Sequence, residues 1–359
     1  MKNVKMKSRI FGLFFFVSIS YGACPIVVHG QTSVPQPVMQ QVYEEIKTPY
    51  KYGLVLIPEE GKMMDSPSVF RYKNLWYMTY IVFDGQGYET WMAQSVNLLE
   101  WQTLGKIMSF TANTWDANQK AGYIALQDPV WGGSYVVEKY KGRYWMSYLG
   151  GATQGYEAGT LGIGVANTSR LTEIKEWKRL EHPVMMPGDA DARWYDNLTI
   201  YKSTVIHDGK KTLGYPFVMY YNAKSKKTVE HQSAERIAVA VSDDMTHWQR
   251  YGDQPVIDHH SGITGDAFIT KMNDLWVMFY FGAFWKPAAF NRFACSYDLI
   301  NWTDWDGEDL VAPSEPYDAK FAHKSYVVKH NGVVYHFYCA VDNADRRCIA
   351  VATSKDMGN

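Results

Sequence analysis

The chain has 359 residues, and its 36 Lys plus Arg residues are balanced by 37 Asp plus Glu residues. This balance gives no net positive field, so the composition argues against nucleic acid as a partner. Aromatic residues make up 15% of the chain, which suits packed β-sheet and also stacking on sugar rings.

Residues 1–30 have the layout of a secretory signal peptide. Basic residues precede an apolar run from Ile10 to Val17, which is too short to span a bilayer. Cleavage after Gly30 would release a soluble protein, whereas the lipobox-like stretch ending at Cys24 would leave a lipid anchor, and both outcomes stay open. We expect an exported protein in the periplasm, at the cell surface or secreted, with no transmembrane helix.

Residues 31–41 indicate a flexible tether, and residues 42–359 are expected to form a single domain. The cysteines beyond the leader are Cys295, Cys339 and Cys348, an odd number without C-x-x-C spacing. This pattern supports neither a disulfide framework nor a zinc site. We expect three buried free thiols.

One sequence pattern is repeated five times along the chain: an apolar strand, a short turn, an aromatic-rich strand, and a third strand that ends near Ser-x-Asp. The paired strands cover residues 68–80, 134–148, 203–221, 268–280 and 325–338. Each hairpin centres on residues that tolerate the positive φ of tight turns. These turn pairs are Lys73-Asn74, Lys141-Gly142, Asp208-Gly209, Asn273-Asp274 and Asn331-Gly332.

The spacing of the third strands sets the architecture. The serines at their ends are 54 to 74 residues apart, at Ser95, Ser169, Ser242, Ser296 and Ser354. This is about one four-stranded blade per repeat, so the sequence predicts an all-β, five-bladed β-propeller. The last copy stops at Asn359 without room for a fourth strand. A segment between Val42 and Leu56 is therefore expected to pair with the fifth blade and cover its edge.

In a propeller, the residues that precede each first strand gather at one mouth of the central channel. Here an acidic residue or a histidine stands at that place in every repeat: Asp65, Asp128, Asp196, Asp266 and His323. Converging carboxylates raise one another's pKa, and glycoside hydrolysis uses such a pair. Each aspartate taken alone also fits a turn or a cap.

Two segments resemble known enzymes. Asp65-Ser-Pro-Ser-Val-Phe and Glu235-Arg-Ile-Ala-Val-Ala-Val are similar to the blade-one and blade-three motifs of the five-bladed propeller glycosidases of families 43, 32, 62, 117 and 130, and the resemblance covers residues 47–359. It implies Asp65 as the general base and Glu235 as the general acid. Asp196 or Asp128 would be the third carboxylate, which positions the substrate.

A second assignment keeps Asp65 as the base. Family 117 enzymes are similar in using a histidine acid beside two aspartates, which implies His323 as the acid and Asp266 as the modulator. A propeller histidine also suits a central cation or a substrate hydroxyl, so both assignments stay open. Neither requires a cofactor, and a central structural cation such as calcium is compatible with the fold.

Further candidates for substrate binding lie near the predicted mouth. Tryptophans there can stack on a sugar face, with packing as the alternative, and cations can bind hydroxyls or a carboxylate, with surface ion pairing as the alternative. The candidates are Asp128, Trp131, Trp194, Arg236, Trp285 and Lys324.

Together these features predict an inverting, exo-acting glycosidase that works as a monomer on a plant or algal carbohydrate. A β-xyloside or an α-L-arabinofuranoside is the expected substrate type. The alternatives are a non-catalytic carbohydrate-binding propeller, in the form of a surface glycan-binding lipoprotein, a phosphorylase, and a lyase acting on uronic polymers.

Overall fold

The computed structural model describes residues 33–358, and this part of the chain is almost entirely β-structure. Its helices are one α-helix, α1 (Gln36–Ile46), and one 3-10 turn (Pro316–Asp318). Neither has the length and apolar character that a membrane crossing requires. The predicted signal peptide and the lipobox cysteine Cys24 lie outside the described residues.

The strands follow one another along the chain with short connections. Their bounds are β1 Tyr50–Leu56, β2 Met63–Tyr72, β3 Leu75–Phe83, β4 Tyr88–Ser95, β5 Gln102–Met108, β6 Gln119–Ile124, β7 Tyr144–Gly151, β8 Gly162–Thr168, β9 Lys178–Arg179, β10 Thr199–His207, β11 Phe217–Lys224, β12 Glu235–Ser242, β13 Gln249–Tyr251, β14 Ile263–Met272, β15 Leu275–Ala283, β16 Ala289–Ser296, β17 Thr303–Asp304, β18 Phe321–His330, β19 Val333–Val341 and β20 Arg347–Thr353.

Antiparallel pairing of consecutive strands groups them into four-stranded meanders, β2 to β5, β6 to β9, β10 to β13 and β14 to β17. One parallel bridge, between Tyr88 and Gln119, joins the first two. In the last meander, β18 to β20 receive their fourth strand from the other end of the chain, since β1 pairs with β20 and Tyr50 lies opposite Thr353. The predicted closure by a segment between residues 42 and 56 is confirmed.

The first strands of the meanders face a common centre. β2 contacts β6, β6 contacts β10, β10 contacts β14, β14 contacts β18, and β18 returns to β2. Within each meander the start of the first strand, the end of the second and the start of the third lie at the same edge, because neighbouring strands are antiparallel. This edge faces the cavity described below.

The hairpin turns follow the sequence prediction at four of the five places. Each of these turns has a residue at positive φ, namely Lys73, Lys141, Asn273 and Asn331. Between β10 and β11 the connection is longer, and the Asp208 carboxylate accepts backbone N–H bonds from Lys210 and Thr212. An Asp side chain therefore shapes that loop instead of a two-residue turn.

The second meander departs from its predicted course. Its first strand is β6, whereas residues 134–137 contribute isolated bridges such as Gln127 with Val137. Every residue of β6 is buried, so the strand lacks the alternation of apolar and polar residues that marks a half-buried strand in a sequence. The segment from Asp128 to Trp131 is thus not at the head of a first strand.

Residues 36–41, which the sequence assigned to a flexible tether, belong to α1. Pro37 stands at the start of the helix, where its missing N–H costs nothing. Met39, Val42 and Ile46 lie on one helical face and are buried in the main core. A short amphipathic helix that owes its order to tertiary packing has little signal of its own in the sequence.

The core consists of apolar clusters between neighbouring sheets, the largest of which includes α1. Cys295, Cys339 and Cys348 are buried free thiols, as predicted. Burial raises the pKa of each of them.

Candidate active site

The strand ends surround a cavity of about 180 Å³. Residues from the heads of the first strands β10, β14 and β18 line it, and so do the first residues of β4, β12, β16 and β20. The lining combines aromatic side chains with acidic and basic groups, and this mixture suits a polar ligand with apolar faces, such as a sugar.

Three of the first strands carry the same β-bulge at the cavity. The register shifts after Asp65 in β2, after Gly265 in β14 and after His323 in β18. The next residue in each case, Ser66, Asp266 or Lys324, adopts a positive φ and lines the cavity. A non-glycine residue held there costs about 1–3 kcal/mol, and such strain clusters at functional sites.

Asp65 lies behind the cavity wall and is only 4% exposed. Its Oδ2 accepts bonds from Lys324 Nζ at 2.6 Å and from Arg347 Nη1 at 3.0 Å, and its Oδ1 accepts the Ser66 N–H at 2.8 Å. Burial raises the pKa of Asp65, but the two cations outweigh this effect and hold the pKa well below its usual range. Asp65 is therefore ionised, and both of its carboxylate oxygens accept hydrogen bonds from the protein. Lys324 and Arg347 themselves face the cavity.

His323 lines the cavity and is nearly buried. Its Nδ1 lies 3.1 Å from the Cys339 carbonyl oxygen, so Nδ1 carries the proton and donates it to that oxygen. Burial lowers the pKa of His323 to about 3, although the Asp65 charge opposes this shift. A neutral imidazole with a free Nε2 lone pair accepts a hydrogen bond from a ligand hydroxyl, but it is not a proton-donating acid.

Asp266 is held by a second set of polar groups, and the Ser66 hydroxyl, which donates to its Oδ2 at 3.3 Å, joins this set to the surroundings of Asp65. Its Oδ1 accepts a bond from Asn222 Nδ2 at 2.8 Å, and Lys202 Nζ lies 3.4 Å from its Oδ2. The close approach of Asn222 requires Gly265, since a Cβ there would lie 2.5 Å from the amide nitrogen. Asp266 lines the cavity and pairs with Lys202. Burial lowers the pKa of Lys202.

Two glutamates face the cavity with different partners. Glu157, from the loop between β7 and β8, accepts a bond from the Tyr88 hydroxyl at 3.2 Å. Burial raises the pKa of Glu157, the Lys324 charge opposes this, and the negative charge of Glu235 raises it further. Glu235, at the start of β12, is 9% exposed and lies 3.2 Å from Lys224 Nζ. The site thus combines one carboxyl whose pKa is raised by burial with a second one that lies beside a cation.

Tyrosines form much of the remaining wall. Burial raises the pKa of Tyr88, Tyr123 and Tyr201 well above the ordinary value, so all three keep their protons. Neutral phenols provide hydrogen-bond donors together with apolar ring faces, and both features suit a sugar ring.

Among residues 33–358, one group of side chains has potential metal-ligand atoms within 4.8 Å of one another: Asp65, His323 and Cys339. Lys324 and Arg347 already supply positive charge to the Asp65 carboxylate, and the Cys339 thiol has a raised pKa that disfavours the thiolate. These residues do not fit a divalent cation.

Asp196 and Arg236 lie outside the cavity and are buried in ion pairs. Asp196 accepts bonds from Arg250 Nε and from the Tyr221 hydroxyl, and Arg236 pairs with Asp258 at 2.8 Å. We assign both residues to the scaffold, because neither faces the cavity.

The remaining predicted binders make structural contacts and, apart from Lys324, are not among the residues that line the cavity. Asp128 accepts bonds from Ser134 and Val130 in a turn. Trp131 donates to Glu45 at 2.7 Å, Trp285 donates to the Ile263 carbonyl at 3.0 Å, and the Trp194 ring stacks on His231. Of the predicted substrate binders, Lys324 is the one that lines the cavity.

Sequence reasoning missed Glu157, Lys202, Asn222 and Arg347. Arg347 starts β20 at the place where Glu235 starts β12, so a comparison of the third-strand heads across the repeats would have found it. Glu157 lies in the connection between β7 and β8, where no strand periodicity marks a residue in the sequence.

The fold is nearly all-β, with several sheets around a cavity lined by acidic, basic and aromatic groups, and its structural neighbours are propeller-fold glycoside hydrolases. A solved structure described as a glycoside hydrolase is 52% identical, with a TM-score of 0.89 over 91% of this chain and 97% of that chain. A second solved structure, described as an RGII complex, matches with the same values. A thermostable family-43 glycoside hydrolase, at 15% identity and a TM-score of 0.61 over 85% of this chain and 91% of that chain, shares the fold.

No family model and no curated protein matches this chain. The 52% identity over almost the full length of the solved glycoside hydrolase is decisive. The chain belongs to the glycoside hydrolases, and it is a glycosidase. The non-catalytic binding propeller and the lyase are accordingly not the preferred interpretations.

Proposed function

We propose that the chain is an exo-acting glycosidase in which Glu157 protonates the leaving oxygen and Glu235, which pairs with Lys224, is the second catalytic carboxyl. The observation that carries this proposal is the contrast between two carboxyls of one cavity: burial raises the pKa of Glu157, while Glu235 lies 3.2 Å from a lysine. Glycosidases need such a division of roles.

Asp65 was the base expected from the sequence, and its surroundings argue for a different role. Two cations and a backbone N–H occupy its oxygens, and Asp65 is not part of the cavity wall. A base must reach the water that it activates. Glu235, which faces the cavity, therefore replaces Asp65 in this proposal, either as the base that activates a water or as the nucleophile.

His323 and Asp266 are proposed to bind substrate. The His323 Nε2 would accept a bond from a sugar hydroxyl, and the Asp266–Lys202 pair would bind a second hydroxyl. Because a neutral His323 cannot donate the leaving-group proton, the acid role falls to Glu157 and not to the histidine.

The five meanders are proposed to be the blades of a five-bladed propeller. The cyclic contacts of β2, β6, β10, β14 and β18 support this arrangement. Its central cavity would accept the end of a glycan chain, which favours exo-action on a plant oligosaccharide. RGII, which gives the similar complex its name, is the first substrate class to test, with arabinofuranosides and xylosides as the sugar types. We also propose export of the protein, in keeping with its N-terminal sequence.

The proposal is tested by hydrolysis of a panel of aryl glycosides and plant oligosaccharides. For the oligosaccharides, Glu157→Gln should lower kcat by a factor of about 10²–10⁴, the usual contribution of a positioned acid. An aryl substrate with an acidic phenol needs less protonation, so its kcat should fall far less. Glu235→Gln should lower kcat for both kinds of substrate.

A matched control is Glu176→Gln. Burial also raises the pKa of Glu176, but this residue does not line the cavity, so the variant should keep wild-type kcat. Full activity of Glu157→Gln on oligosaccharides would refute the assignment. The anomer formed first, followed by NMR, separates inversion from retention, which correspond to carboxyl separations of about 6.5–9.5 Å and about 5–5.5 Å.

A further inference from the structure

We infer that Asp65 is a positioning residue that acts through Arg347 and Tyr156 to fix the loop presenting Glu157. This inference rests on the proposed function, because it explains how the acid is held in place. The contacts that support it lead from the loop inward to Asp65.

The loop between β7 and β8 is anchored by backbone contacts at its first half. Gln119 Nε2 donates to the carbonyl oxygens of Thr153 and Gly155 at 2.8 and 2.7 Å. The Gly155 N–H in turn donates to the Gln86 carbonyl at 2.7 Å. Glu157 follows two residues later with a φ of +49°, a conformation that persists in a non-glycine residue only when its surroundings hold it.

Tyr156 supplies the restraint next to Glu157. Its hydroxyl accepts a bond from Arg347 Nη1 at 2.7 Å, and the guanidinium lies 5.0 Å from its ring centroid. Edge contacts at 5.5 Å join the ring to Phe83 and Tyr88. Since Tyr156 is still 38% exposed, packing covers only part of the side chain, and the bond to Arg347 fixes where the ring lies.

Arg347 is oriented by Asp65. The same Nη1 that binds Tyr156 donates to Asp65 Oδ2 at 3.0 Å. A largely buried guanidinium needs an opposite charge, and Asp65 is itself fixed by the Ser66 N–H and by Lys324. The contacts therefore run without a gap from Asp65 to Arg347 to Tyr156, the residue that precedes Glu157 in the chain.

The electrostatic surroundings of Glu157 make its position measurable. The groups that act on its carboxyl come from several strands and are Lys324, Glu235, Asp65, Asp266 and Tyr88. Burial is the largest cause of its raised pKa. A looser loop would expose the carboxyl to water, so the pKa would fall toward its ordinary value.

Tyr156→Phe tests this inference, because it removes only the hydroxyl that binds Arg347 and keeps the ring. We expect kcat on oligosaccharides to fall about tenfold, the effect of about one charge-assisted hydrogen bond, with KM little changed. The alkaline limb of the kcat–pH profile should move to lower pH. Hydrogen exchange of residues 152–160 should become faster.

The matched control is Tyr220→Phe. The Tyr220 hydroxyl donates to the Leu299 carbonyl at 2.7 Å, the same distance as in the Arg347–Tyr156 bond, but Tyr220 does not line the cavity. This variant should lose stability and keep the wild-type pH profile. Arg347→Lys, which keeps the charge and loses the fork geometry, should give an intermediate shift.

An unchanged pH profile together with unchanged loop exchange in Tyr156→Phe would overturn the inference. If Glu157→Gln is inactive in the same experiments, the proposed function stands and only the positioning role of Asp65 fails. If Glu157→Gln is fully active, the acid assignment fails, and hydrogen exchange alone still reports whether Asp65, Arg347 and Tyr156 hold the loop.

Discussion

Replacement of Asp65 by Asn separates the role expected from the sequence from the role that the structure indicates. Asn keeps the shape and can still accept the Ser66 N–H, but it leaves Lys324 and Arg347 without their counter-charge. Removal of one partner from a buried ion pair costs about 3–5 kcal/mol. The side chains of Lys324 and Arg347 are 11% and 18% exposed, so some water reaches them. We therefore expect a loss of about 3 kcal/mol, at the lower end of that range.

Urea unfolding at neutral pH measures this loss as a lower midpoint. The double variant Asp65→Asn/Lys324→Met removes one of the uncompensated charges and should regain part of the stability. The loss should also depend on pH. Since the folded pKa of Asp65 lies below its unfolded value of about 3.9, its contribution is complete above about pH 4 and is lost as the pH falls toward the folded pKa. The difference in stability between wild type and Asp65→Asn should thus shrink in acid.

A different outcome would refute this reasoning. If Asp65→Asn were as stable as the wild type, or more stable, and yet inactive, Asp65 would behave as a strained catalytic base and not as the centre of an ion network. That result would restore the assignment made from the sequence.

Two further predictions follow from the buried groups outside the cavity. Asp196→Asn should lower the free energy of unfolding by about 3 kcal/mol, the lower end of the cost of breaking a buried ion pair, because Arg250 loses its buried partner and keeps Asp191 at 2.6 Å. Its kcat, measured below the new unfolding midpoint, should stay near that of the wild type, and a loss of kcat in the folded variant would argue against a scaffold role. Cys295, Cys339 and Cys348 should resist a thiol reagent in the native protein and react in denaturant, because they are buried and have raised pKa values. Rapid labelling of any of them in the native state would contradict this.

Much of the architecture was predictable because its strands and turns have local sequence signals that recur in each repeat. The alternation of strands, the turn residues at Lys73, Asn273 and Asn331, and the regular spacing of the repeats indicated successive antiparallel meanders. The need to cover the last sheet edge predicted the pairing of β1 with β20. The second repeat was misplaced because β6 is buried throughout and carries no alternation, whereas a stronger hairpin signal follows it.

The candidate site was predictable only in part. The sequence placed Asp65, Asp266, His323, Lys324 and Glu235 at strand heads, and the tertiary structure brings them together at or behind one cavity. Their chemical states could not be read from the chain. For example, the Asp65 carboxylate is bound by Arg347, which lies 282 residues away along the sequence.

Glu157 shows most clearly which features of the site the sequence could not predict. Glu157 lies in a loop, where strand periodicity gives no signal, and its raised pKa arises from burial and from charges on strands far away in sequence. Local residue patterns determine strands and turns through short-range sterics and apolar periodicity. Electrostatics and desolvation depend on which distant groups meet, so only the tertiary structure decided that the pKa of Glu157 is raised and that two cations hold the Asp65 carboxylate.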